Sequence, residues 1–233
     1  MTDNLSLINR ARAAFDHITP AIGDFSAVDE QGGDSFAAIR DTAAILTATN
    51  DLIPPLYQRA DATDERVLAW VDALASSSVP NQYSKVPYLK GGSSLLLLGP
   101  TGVGKTHQAY GALRRLSIIG IGCAPAAASI TDVFAKMRPR PGVDSESVFA
   151  SYASAKLLFV DDLGAAKATE WTEEVTYRLV NFRYEHRLPT VFTSNATPKE
   201  LGERVGERVA SRLMEMTQRV VIKGADRRLG GAA

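Results

Sequence analysis

Apolar residues recur along this chain at two spacings, and the changes from one spacing to the other mark its elements. Leu5, Leu7, Ile8, Ala11, Ala14 and Phe15 fall at helical intervals and predict a short amphipathic helix over residues 5 to 17. Pro20 and the Gly- and Asp-rich stretch from Ile22 to Asp34 end that pattern, and an Ala-rich helical segment from Ser35 to Thr49 follows. Pro54 and Pro55 then force an extended turn. A helix over Glu65 to Ala75 takes its apolar face from Val67, Leu68, Trp70, Val71 and Leu74, with Trp70 read as core. The unbroken apolar run after Ser94 predicts a buried strand. Ala109, Ala112, Leu113 and Leu116 return to the helical interval just beyond it.

The second half repeats this alternation. Ile118 to Ser129 reads as a Gly-punctuated turn and a strand, with helices over Ile130 to Met137 and Ser145 to Ala155. Leu157 to Val160 is a buried strand that ends in Asp161 and Asp162. Trp171 to Arg187 carries the stripe Trp171, Val175, Leu179 and Phe182, which reads as core, and Pro189 to Asn195 is a strand ending in polar residues. A single helix over Lys199 to Thr217 would place Arg204, Arg208 and Arg212 on one face, interleaved with Glu200, Glu203, Glu207 and Glu215. Arg219 to Gly224 is the last strand. Strands alternating with helices indicate an α/β fold. We divide the chain into a helical appendage, residues 1–50, on a flexible tether, and a body, residues 51–233.

Bulk composition narrows the class. The 233 residues, 45% hydrophobic and 22% charged, suit a soluble globular protein with a sizeable core. No apolar run approaches the ~20 residues that span a bilayer. The start, Met1-Thr-Asp-Asn-Leu5, lacks the basic and apolar regions of a leader, so a cytoplasmic location is expected. A single cysteine, Cys123, allows neither an internal disulfide nor a Cys-rich zinc site. Zero net charge argues against a protein that coats nucleic acid through its overall field. Charge is uneven, however: residues 1 to 50 hold Arg10, Arg12 and Arg40 against seven acids, and arginines gather toward the other end. Lys136, Arg138 and Arg140 cluster where a loop begins. They read as a solvated loop in preference to a phosphate contact.

The chemistry centres on Gly99-Pro-Thr-Gly-Val-Gly-Lys105-Thr106-His107, set between a strand and a helix. Glycines let successive backbone N–H groups converge on β- and γ-phosphates at a helix start that already favours an anion. Gly99, Pro100, Thr101, Gly102, Val103, Gly104, Lys105, Thr106 and His107 therefore form an expected ATP site. Lys105 supplies charge and Thr106 a Mg²⁺ ligand. Asp161, at the carboxyl end of a buried strand, would hold Mg²⁺ directly or through water, and Asp162 would orient and polarise the attacking water. Asn195 can reach the γ-phosphate or its water from the neighbouring strand end.

Taken together, Ile-Pro-Pro-Leu-Tyr57, Gly-Pro-Thr-Gly-Val-Gly-Lys-Thr-His107, Leu-Phe-Val-Asp-Asp-Leu-Gly164, Thr-Ser-Asn195 and Glu-Arg-Val-Ala-Ser-Arg-Leu213 resemble the DnaC/IstB-like branch of the AAA+ ATPases over about residues 50 to 228. The resemblance implies a five-stranded parallel sheet in the order 5-1-4-3-2, without a helical lid domain after it. It further implies Asn195 as sensor 1, Arg212 as an arginine finger acting on a neighbouring subunit of a homo-oligomer, and Arg208 as the second candidate. Ile53 and Tyr57, around the Pro-Pro-Leu turn, would lie by the adenine, and Arg228 falls near a closing family arginine.

By that likeness the protein is expected to be a Mg²⁺-dependent ATPase that loads a replicative helicase. The appendage would grip the helicase, and the protein would contact single-stranded DNA weakly. A transposition helper that binds duplex DNA as an ATP-dependent filament is the alternative. A small-molecule P-loop kinase fits less well, because Thr-Ser-Asn195 and an arginine-bearing helix stand where an acceptor pocket and lid arginines would be needed. Asp162, shorter than the glutamate often found there, leaves room for a nucleotide-dependent binding module with negligible turnover.

Overall fold

The computed structural model describes residues 33–82, 84 and 86–227, and of residues 33–39 the backbone alone. The helix expected over residues 5 to 17, the tether after it, and Arg228 lie outside the described residues. In chain order the elements are α1 (Gly33–Leu52), a 3-10 turn at Pro55–Tyr57, α2 (Glu65–Ser76), β1 (Ser94–Leu98), α3 (Lys105–Ile118), β2 (Pro125–Ser129), α4 (Ile130–Met137) and α5 (Ser145–Ala153). They continue with β3 (Leu157–Asp161), α6 (Glu170–Glu185), β4 (Thr190–Ser194), α7 (Leu201–Val205), α8 (Glu207–Met216) and β5 (Thr217–Val221).

The strands form one sheet in the order β2-β3-β4-β1-β5, and every neighbouring pair is parallel. This is the expected 5-1-4-3-2 order read from the other edge. Such a sheet is covered on both faces, so its central strands are buried at nearly every position and largely apolar, with Ser94, Thr190, Thr193 and Ser194 as the buried polar exceptions on β1 and β4. Leu95, Leu96, Leu97 and Leu98 are all buried. Because side chains alternate across a strand, Leu95, Leu97, Leu157, Phe159 and Val191 pack with α2 and α3 on one face. Leu96, Leu98, Leu158, Val160 and Phe192 meet α4, α5, α6 and α8 on the other. Trp70 is fully buried, as expected, and its indole N–H donates to Ser93 O at 3.0 Å.

Two departures from the pattern have local causes. The segment expected as one helix over Lys199 to Thr217 breaks at Gly206, whose φ of +86° favours glycine and whose N–H donates to Gly202 O at 2.8 Å. Arg204 therefore leaves the arginine row. It lies against Gly164 and pairs with Glu200 at 3.8 Å, while Arg208 and Arg212 stay together on α8. The last strand also starts earlier than expected, at Thr217, directly where α8 ends.

The second half of α1 lies on α3, with Ala43 and Leu46 buried and Thr49 hydrogen-bonded to Ser117 at 2.7 Å. Among the described residues no helix is long and apolar enough to cross a membrane.

Candidate nucleotide site

Parallel strands deliver their carboxyl ends to one edge of the sheet, where helix N-termini meet them. The turn between β1 and α3 curls there. Gly102 and Gly104 take φ of +82° and +99°, a region open to glycine at little cost. No side chain caps the start of α3, so its first N–H groups remain available to an anion.

A cavity of about 400 Å³ opens over this turn, lined by Thr101, Gly102, Gly104, Lys105, Thr106, His107, Asp161, Asp162, Asn195, Tyr57, Leu56 and Arg227. Gly99, Pro100 and Val103 shape the turn from behind, with Val103 buried in the core. The Lys105 ammonium donates to Gly99 O at 2.9 Å, Pro100 O at 2.8 Å and Asn195 Oδ1 at 2.6 Å. Asn195 Nδ2 in turn donates to Asp162 Oδ1 at 3.1 Å. The amide orientation follows from its neighbours, since an ammonium can only donate and a carboxylate can only accept.

Thr106 Oγ1 donates to Asp161, 3.0 Å from Oδ1 and 3.2 Å from Oδ2. A hydroxyl and a carboxylate so placed form the sparse oxygen set that suits a hard cation sharing its shell with phosphates and water. Desolvation pushes the Asp161 carboxyl above its ordinary range, and hydrogen bonds from Thr193 and Thr106 work against that shift. His107 is held below its usual value, first by burial and then by the Arg227 charge.

Several expected residues sit elsewhere. Ile53 is 2% exposed and belongs to the same buried core as Trp70; it does not line the cavity. Tyr57 does line it, stacked on Tyr110 with ring centroids 5.2 Å apart. Arg212 lies on the outer face of α8 against α6. Its Nε donates to Asn181 Oδ1 at 2.7 Å and its Nη2 to Tyr177 OH at 3.2 Å, with the guanidinium over the Tyr177 ring at 4.9 Å. Arg208 is exposed. Neither arginine lines the cavity of its own chain. The basic loop is occupied locally: Lys136 donates to Tyr152 OH at 3.0 Å, and Arg138 lies 5.8 Å from the Trp171 ring centroid.

Other contributors carry no motif. Gln108 accepts at Oε1 from the N–H groups of Thr63 and Asp64 and donates to Thr63 Oγ1, which ties the segment before α2 to α3. Arg227 follows β5, donates its N–H to Gly102 O at 3.0 Å, and brings its guanidinium beside Gly104. Only the topology puts a residue so distant in sequence on this turn.

The description IstB-like ATP binding protein belongs to a family model that matches residues 73–230. The chain is 33% identical over 146 residues to the phage-like element PBSX protein XkdC of Bacillus subtilis, covering 57% of this chain and 52% of that protein. It is 29% identical over 124 residues to an IS232 putative ATP-binding protein of Bacillus thuringiensis, with 50% and 46% covered. Against the replicative helicase loader DnaI of Bacillus subtilis it is 27% identical over 193 residues, with 78% and 58% covered. The chain thus spans about half the length of these curated relatives. The crystal structure of the DnaC helicase loader has the same fold, with a TM-score of 0.59 at 22% identity over 73% of this chain and 100% of that one. Since the matched residues take in every strand of the sheet and the whole phosphate-binding turn, this chain belongs to the IstB-like ATP-binding protein family.

Proposed function

We propose that this protein is a Mg²⁺-dependent ATPase of the AAA+ class that acts as a replicative helicase loader on a helicase and single-stranded DNA. The observation that carries the ATPase reading is the convergence of Lys105, Thr106, Asp161, Asp162 and Asn195 on one cavity at the sheet edge. Main-chain N–H groups of the turn and Lys105 hold the triphosphate. Thr106 and Asp161 would hold Mg²⁺, which would supply charge neutralisation for the transferring phosphoryl group. Asp162 and Asn195 orient the attacking water. Arg212, with Arg208 as the second candidate, completes the site of a neighbouring subunit; Arg208 is exposed on α8, Arg212 is held against α6 by Asn181 and Tyr177, and neither lines its own cavity.

Similarity to DnaI over 78% of the chain supports the loader role, with residues 1–50 as the handle for the helicase. A second reading is favoured by the family model and the insertion-sequence relative: a helper of transposition that assembles on duplex DNA. ATP-dependent filaments on duplex DNA without helicase contact would select that alternative. ATP-stimulated capture of a helicase hexamer through residues 1–50 would select the loader.

Lys105→Ala is expected to abolish nucleotide binding in a folded chain. Arg212→Ala is expected to keep ATP binding and lose hydrolysis by about 10³-fold. Mixing the two variants should restore turnover where an intact cavity meets an intact arginine. Unchanged ATP affinity in Lys105→Ala would refute the site, and no recovery on mixing, with Arg208→Ala also active, would refute an arginine acting between subunits.

A further inference from the structure

We propose that Thr193 is a positioning residue for the Asp161–Asp162 pair, an assignment that rests on the ATPase reading above. Thr193 is fully buried near the carboxyl end of β4, beside β3, whose last residue is Asp161. A threonine hydroxyl has one proton to give and lone pairs to accept with. Here the proton goes to Asp161 Oδ1 at 2.5 Å, and the oxygen accepts from the Asp162 N–H at 2.9 Å. One atom therefore touches both members of the pair.

Asp162 needs such a hold. Its φ is +54°, a left-handed conformation that strains a residue other than glycine. Strain of this kind persists only where the surroundings over-determine it. Around Asp162 they do so through a turn bond from Ala165 N–H to Asp162 O at 3.0 Å and, for the rest, through β4 and its end. Leu163 N–H donates to Thr193 O at 2.8 Å, Ser194 Oγ donates to Leu163 O at 2.6 Å, and Asn195 Nδ2 donates to the Asp162 carboxylate. Without the Thr193 hydroxyl the Asp162 N–H has lost its partner, and the turn can relax to negative φ, which swings the carboxylate away from Asn195.

The same hydroxyl orders Asp161. It engages Oδ1 only, whereas Thr106 shares its proton between Oδ1 and Oδ2. Fixing one oxygen sets the rotation of the carboxylate, so the other is presented to a cation in one direction. Partners of this type behind a metal ligand are worth about 10–100-fold in metal affinity. Asn195, just past the end of β4, links the Asp162 carboxylate to the Lys105 ammonium, so this strand and its end hold the pair at two points: Thr193 at the Asp161 carboxylate and the Asp162 N–H, and Asn195 at the Asp162 carboxylate.

The test uses the full chain and compares Thr193→Val, which keeps the shape and removes both bonds, with Thr193→Ser, which keeps both bonds. Affinity for a non-hydrolysable ATP analogue is measured with and without Mg²⁺, together with kcat and thermal midpoint. Thr193→Val should bind the analogue without Mg²⁺ within about twofold of wild type, lose about tenfold or more of the affinity that Mg²⁺ adds, and lose kcat in parallel. Thr193→Ser should recover both. A valine variant that keeps the Mg²⁺ gain and kcat, or a folded serine variant no better than valine, overturns the assignment.

Should Thr193→Val not fold, Thr193→Ala combined with Asp162→Gly replaces it, because glycine takes positive φ unaided. Measured against Asp162→Gly alone, that pair should bind the analogue and lack the Mg²⁺ gain that the single variant keeps; a gain equal to the single variant's overturns the proposal. Absence of any Mg²⁺ gain in the wild-type chain would instead overturn the ATPase reading beneath it.

Discussion

Cys123 is completely buried, and desolvation pushes its thiol up to about 12. The thiol is therefore both sealed from reagent and held in its unreactive protonated form, since the thiolate is the reactive species. We predict negligible labelling of Cys123 by an alkylating reagent at pH 8 in the folded chain and fast labelling once denaturant unfolds it. Rapid labelling in the native state would mean that the region around β2 opens. Burial has a different consequence for Arg183, where it lowers the guanidinium to about 9. Its donors are nevertheless taken by the carbonyls of Tyr152, Ala153, Ala155 and Pro189 and by Thr190 Oγ1. A charge there closes the carboxyl end of α5 onto β4. At this scale the sequence shows which residue types can do chemistry, and the motif residues at the cavity are all among them. It gives no sign that Thr193 bonds both the Asp161 carboxylate and the Asp162 N–H or that Ile53 turns inward, because both facts depend on which strand or helix lies alongside.

Element ends repay similar attention. At the end of α6, Leu188 N–H donates to Arg183 O at 2.9 Å and Arg187 N–H to Tyr184 O at 3.1 Å, the paired bonds that close a helix through a left-handed residue. Glycine usually fills that position, but here Arg187 does, with φ of +50°. Arg187→Gly is predicted to stabilise the chain by about 0.5–1 kcal/mol, read as a higher denaturant midpoint at unchanged slope.

The start of α2 is closed by Asp64, whose Oδ1 accepts from Arg66 N–H at 3.0 Å while the Arg66 guanidinium grips the same carboxylate at 2.7 Å. The Arg66 hydrogen bond holds the Asp64 carboxyl below its ordinary value. A group shifted downward on folding contributes stability above its unfolded value, near 3.9, and loses it as pH falls through the lower folded value. Asp64→Ala should therefore cost about 1 kcal/mol at pH 7. The gap between the two chains should close as unfolding curves are taken to pH 3 and below. The periodicity located nearly every element but ran one helix through Gly206, since hydrophobic spacing does not register the sign of φ at a single glycine.

Across the whole molecule, the segment before α2 is joined to the sheet through α3. Asp61 receives the Arg115 guanidinium in two bonds of 2.8 and 2.9 Å, Gln108 binds Thr63 and Asp64, and α3 passes the segment at Gly111. A Cβ at Gly111 would stand 2.2 Å from Ala62 N and 2.3 Å from Asp61 C. Both obstacles are backbone, which cannot rotate aside. Gly111→Ala is predicted to destabilise the fold by about 2 kcal/mol or more and to lower nucleotide affinity with it, because the same segment carries Tyr57 to the cavity. Thermal unfolding and analogue binding measured on one preparation check both effects.

The sequence by itself determined the α/β class, the alternation of strands and helices, the phosphate-binding turn and the carboxylates that face it. Each of these is written in neighbouring residues, through apolar period, glycine placement and the motif at a strand end. Tertiary structure decided what depends on adjacency between distant strands. β4 lies between β3 and β1, which lets Thr193 reach Asp161 and Asn195 reach Lys105. β5 borders β1, which brings Arg227 onto Gly102. The strand order itself was legible only through the family resemblance that the motifs carry jointly, since no single local pattern encodes it; the side-chain contacts that the order permits depend on how the strands and helices pack.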